Sequence, residues 1–76
     1  MTMVEAAREV LKQLNRPATA REIHTEIVKR QLFIFGAKDP VSVLGGAMRR
    51  KTDGSPKLNG QALFTSPNKG TYQLRS

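Results

Sequence analysis

The sequence predicts a small α+β fold, three helices followed by a β-hairpin, and three observations carry that expectation. Two N-terminal segments place apolar residues at helical spacing, each behind a Thr-x-x-Glu start signal. A third helical segment opens on Asp39-Pro40 and closes on three cations, Arg49, Arg50 and Lys51. Finally, two β-prone runs, "ALFT" and "TYQL", enclose the turn sequence "SPNKG".

In the first helix Thr2 is the expected N-cap, with Glu5 reaching back to it. Met3, Ala6, Ala7, Val10, Leu11 and Leu14 then form an apolar stripe, and Asn15 and Pro17 end it. The second helix repeats the device: Thr19 caps, Glu22 stands three residues on, and Ala20, Ile23, Ile27 and Val28 are expected on the buried face. Glu26 and Arg30 make an i,i+4 pair in the favourable order.

The run "LFIF" at 32–35 is short, apolar and bounded by Gly36, and is read as a short strand or extended bridge before helix 3. An extended segment cannot bury Phe33, Ile34 and Phe35 together, so an exposed apolar spot is expected there. Asp39 is an N-cap residue and Pro40 suits the first helical position. Stepping 100° per residue gathers Val41, Leu44 and Met48 on one face of helix 3, with Ala47 at its edge. That face is expected to dock on helices 1 and 2. The opposite side carries Ser42, Gly46 and Arg49, flanked by Val43 and Arg50.

Residues 52–61 read as an irregular loop. In the hairpin, Pro67 and Asn68 suit a type I turn and Gly70 a left-handed position, while Phe64, Tyr72 and Leu74 share one face.

At 76 residues the chain is expected to form one domain, 1–76, with a small core. Cysteine is absent, which excludes disulfides and Cys-based metal sites. No segment approaches the roughly 20 apolar residues of a membrane span, nor a signal peptide's apolar run, so a soluble intracellular protein with no membrane partner is expected.

Catalysis finds little support. His24 is the only histidine and lies beside Ile23 and Ile27 on its helix, the position of a packed ring. The pairs Glu5/Glu9 and Glu22/Glu26 have no His or Cys partners converging on them and read as solvated charges. "LGGAM" lacks the Lys-Ser/Thr ending of a phosphate-binding loop. The expectation is a non-enzymatic domain with no catalytic residue, no cofactor and no metal.

Charge is the strongest bulk signal. Thirteen Lys and Arg face six Asp and Glu, for a net +7 and a pI near 10.6. Only +2 of this falls in residues 1–30; +5 falls in residues 31–76, where Asp39 and Asp53 are the only acids. Such asymmetry points to a polyanion. Helix, helix, short strand, helix and hairpin, with a basic third helix and a basic turn, make the order of a winged helix-turn-helix.

In that architecture double-stranded DNA is the expected partner. Ser42, Val43, Gly46, Arg49 and Arg50 would face a groove, while Lys38, Lys51, Lys57, Asn68 and Lys69 would meet the backbone. Gly45 and Gly46 have two readings: close approach of the backbone to a duplex, or tight packing of Gly45 on helix 1. Arg49 and Arg50 also suit the negative end of the helix dipole. The competing reading is a protein-interaction module in which Leu32–Phe35 takes an acidic or apolar peptide. Single-stranded nucleic acid fits poorly, because no aromatic residue is interleaved with the basic patch.

Three stretches carry a family resemblance: "AAREVLKQLNRPATAREIHTEIVKRQL", "KDPVSVLGGAMRRK" and "ALFTSPNKGTYQL". Ala7 and Val10-Leu11, the cap from Pro17 to Ile23, Pro40, and the closing Lys69-Gly70-Thr71-Tyr72-Gln73-Leu74 together resemble the HARE helix-turn-helix domain. That family occurs in additional-sex-combs-like chromatin proteins, bacterial RNA polymerase delta subunits and restriction-endonuclease-associated proteins. The resemblance implies a winged-helix fold and a non-enzymatic DNA-binding module. It also implies attachment to a larger protein of DNA modification, restriction or transcription, acting at the nucleoid in a bacterium or in the nucleus of a eukaryote. Helix 3 departs from the family in its Gly45-Gly46 pair, and loop 52–61 is longer than usual.

Overall fold

The computed structural model describes residues 1–75. Helix α1 spans Met3–Leu14, strand β1 Ala18–Thr19, helix α2 Ala20–Lys29, helix α3 Pro40–Arg49, strand β2 Phe64–Thr65 and strand β3 Thr71–Leu74. Among the described residues, three helices and a three-stranded antiparallel sheet of order β1-β3-β2 give the α+β winged helix-turn-helix that the sequence predicts.

Local chemistry explains the helix boundaries. Both predicted capping boxes form: Thr2 and Glu5 bond each other's backbone N–H groups, and Thr19 and Glu22 do the same. Asn15 adopts a left-handed conformation (φ 54°) and donates its N–H to the Leu11 carbonyl, which stops α1. Helix α2 closes similarly. Gln31 (φ 56°) donates to the Val28 carbonyl and Leu32 to the Ile27 carbonyl, the paired bonds of a left-handed helix stop. At α3, Asp39 caps the N–H of Ser42 with Pro40 just inside the helix.

The core joins Ala6, Ala7, Val10 and Leu11 of α1 to Ile23 and Ile27 of α2, Leu44 and Met48 of α3, and Phe64 and Tyr72 of the hairpin. Helix α3 lays its apolar face on α1 and α2, as its spacing requires. Phe64 pairs with Leu74 across the hairpin, and Gly70 (φ 82°) takes the left-handed turn position.

Three expectations need correction. The segment 32–35 is not a strand. Both sides of β3 are already taken, by Ala18–Thr19 on one side and Phe64–Thr65 on the other, so "LFIF" has no edge to join. It folds instead with Leu32, Phe33 and Phe35 half-buried and Ile34 94% exposed. Second, Val28 is 52% exposed and does not share the buried face of α2. It lies about 140° around the helix from Ile23, beyond the arc that α1 and α3 cover. Third, Gly45 is buried against Ala20 of α2, not against α1; a Cβ placed on it would stand 3.8 Å from the Ala20 Cβ.

The loop 52–61 is irregular but anchored. Asn59 donates to the Arg50 carbonyl, Leu63 and Phe64 both donate to the Lys51 carbonyl, and the Thr52 hydroxyl donates to the Met48 carbonyl. The end of α3 is therefore tied directly to the base of the hairpin.

Candidate nucleic-acid interface

Helix α3 presents its small-residue face outward. Ser42, Val43, Arg49 and Arg50 are exposed, and a Cβ added at Gly46 would meet nothing within 4 Å. Gly46 is therefore not a packing glycine; the space above it is open. The Arg49 side chain runs back along the helix, its Nη1 reaching within 3.8 Å of a Cβ placed on Gly45. Helical side chains lean toward the N-terminus, and the absence of a side chain at Gly45 leaves that path clear.

Arg49 lines a groove whose other walls are Thr52, Asp53 and Ser55 from the loop and Ser66, Lys69, Gly70 and Tyr72 from the hairpin. The fold thus brings one cation of α3 and the cation of the turn to a single surface. The turn is preorganised: Thr71 donates its N–H and its hydroxyl to the Asn68 carbonyl, and the Ser66 hydroxyl lies within bonding distance of the Asn68 and Thr71 carbonyls. Asn68 thereby anchors the turn through its backbone and leaves its exposed side chain at the tip.

The remaining sequence candidates are distributed differently. Lys38 is exposed ahead of the N-cap, separated from Arg49 by the length of α3, about 15 Å. It cannot share a phosphate with Arg49. Lys57 is exposed on the anchored loop. Lys51 is half-buried and donates its ammonium to the Asn59 carbonyl at 2.9 Å, which commits it to holding the loop. Ser42 donates its hydroxyl to Asp39 at 2.7 Å, so its free capacity is as an acceptor.

Two charged residues escaped the sequence reading. Arg21, exposed at the start of α2, lies near enough to Asp39 to help hold its carboxyl below the ordinary carboxylate value, after the stronger bonds from the Ser42 hydroxyl and N–H. It therefore adds a cation beside the N-terminus of α3. Its place on the exposed side of α2, one residue after Ala20, was the available signal. Asp53 puts the one carboxylate into the groove lined by Arg49 and Lys69.

This geometry is that of a groove-reading helix and a wing. A family model described as HARE-HTH, the helix-turn-helix domain of ASXL and restriction-endonuclease proteins, matches residues 1–76. The chain belongs to this family. HARE-HTH domains bind DNA and are not themselves catalytic. No curated protein and no solved structure shows significant similarity to this chain. Among the described residues of this HARE-HTH domain, no helix is long and apolar enough to cross a membrane, and no cluster of His, Cys, Asp and Glu could hold a metal.

Proposed function

We propose that this HARE-HTH domain binds double-stranded DNA by setting the outer face of α3 against a groove and the 66–70 turn on the adjoining phosphates. The observation that carries the proposal is the shared groove of Arg49 and Lys69, which gives helix and wing one continuous surface. Gly46, Ser42 and Val43 present the helix itself; Arg49 and Arg50 approach base edges or phosphates, and Lys69, Lys57, Lys38 and Arg21 take the backbone. Lys51 contributes charge from the loop it stabilises, and Asn68 offers a side-chain amide at the tip.

Residues 1–76 act as one DNA-binding unit, without catalysis of their own, within a larger protein of DNA modification, restriction or transcription. Such a protein works at the nucleoid or in the nucleus. Titrating isotope-labelled protein with a short duplex tests the mode: amide shifts gather on residues 42–50 and 66–70. Shifts confined to α1, or none at low salt, overturn it.

A further inference from the structure

Away from the basic groove, the protein leaves an apolar depression without a partner. It is lined by His24, Val28 and Gln31 of α2 and its stop, by Phe33, Ile34 and Phe35, and by Pro40 at the start of α3. None of these residues lines the Arg49–Lys69 groove. The floor is aromatic: His24 meets Phe35 edge-on at 4.8 Å, and Phe35 meets Phe33 edge-on at 5.1 Å. Ile34, 94% exposed, stands at the rim and Val28, 52% exposed, forms a wall. Isolated exposed apolar residues need no explanation, but a contiguous group on an ordered floor marks a contact surface.

Size and charge select its occupant. A stable dimer buries about 800 Å² on each partner, far more than one depression walled by a few side chains can supply. A second copy would also bring its own net +7 against the first. The flanking charges are mostly cations: Arg21 lies one helical turn before His24, Lys29 follows Val28, and Lys38 stands two residues before Pro40. The nearby acids are already engaged, Glu26 with Arg30 at 3.1 Å and Asp39 with Ser42.

We infer that this depression docks a short acidic segment of a partner protein, with apolar side chains in the aromatic floor and carboxylates toward Arg21, Lys29 and Lys38. The site is separate from the groove proposed for DNA, so the domain can hold a protein and a duplex together. The segment docks as an amphipathic peptide with two or three apolar anchors, a mode that needs little area.

The test is selection from a random library of peptides about twelve residues long, displayed against the wild-type protein and counter-selected against Ile34→Asp. Ile34 is exposed, so the variant keeps its fold, which unchanged helicity and unchanged duplex affinity verify. Enriched peptides carry paired apolar residues among Asp and Glu. They shift the amides of residues 24, 28 and 31–35, bind the Ile34→Asp variant at least about tenfold more weakly, and lose about tenfold when their acids become Lys. Four outcomes overturn the inference: no enrichment over the variant, enriched peptides without acids, amide shifts confined to the Arg49–Lys69 groove, or wild-type self-association that Ile34→Asp abolishes.

Discussion

Arg49, in the last turn of α3, and Lys69, at the tip of the hairpin, line the same groove although they lie far apart in the chain. Two features make that meeting possible. The end of α3 is bonded to the base of the hairpin through Lys51, Leu63 and Phe64, and Phe64 and Tyr72 anchor the hairpin in the core. The wing is thereby fixed relative to the helix rather than hung on a flexible loop.

Gly46 separates the demands of stability from those of binding. Its missing Cβ faces open space and its backbone is helical, so Gly46→Ala stabilises the fold by about 0.5–1 kcal/mol. The same methyl stands where the duplex is proposed to approach, so affinity falls. Thermal unfolding and duplex titration of one variant check both effects; a stabilised variant with unchanged affinity shows that the backbone does not approach DNA there.

Asp53 opposes its neighbours. Its carboxylate lines the groove beside Arg49 and Lys69, with only its backbone N–H committed, to the Phe64 carbonyl. Asp53→Asn keeps that bond and removes the charge, so duplex affinity rises by roughly two- to fivefold at low salt, and less at high salt. Fluorescence anisotropy at two salt concentrations measures it.

Stability depends on acid in a stated direction. Glu5 is held below the ordinary carboxylate value chiefly by the Thr2 backbone N–H, Glu22 by the Thr19 backbone N–H with help from Arg16, and Asp39 by the Ser42 hydroxyl and N–H. All three pKa values are lowered on folding, so the unfolded chain binds protons first as pH falls. Their contribution is complete above the unfolded carboxylate values and is lost below about pH 4, as the folded values are crossed. Urea unfolding followed across acidic pH shows a declining midpoint, and Glu22→Gln flattens part of the decline.

Elements fixed by neighbours in sequence were legible before any coordinates. The two Thr-x-x-Glu boxes, the Asn15 stop and the Asp39-Pro40 start are local chemistry, and each formed. The strand at Ala18–Thr19 was not legible, because its two residues read as the approach to a helix cap and pair only when Thr71 and Tyr72 arrive beside them. "LFIF" had strand composition but no free edge to join. For the interface, spacing placed Ser42, Gly46 and Arg49 on one outward face. It could not show that Lys51 bends into the loop, that Asp53 enters the groove, or that Arg21 reaches the neighbourhood of Asp39, since all three depend on tertiary packing.

The central claim, that cations from α3 and the wing act together on one duplex, is tested most directly by the salt dependence of binding. If about five phosphates are neutralised, log K falls against log salt with a slope of roughly −4 to −5, and Arg49→Ala with Lys69→Ala reduces the slope by about two with the fold intact. A slope near zero, or a folded double variant with the wild-type slope, contradicts the account.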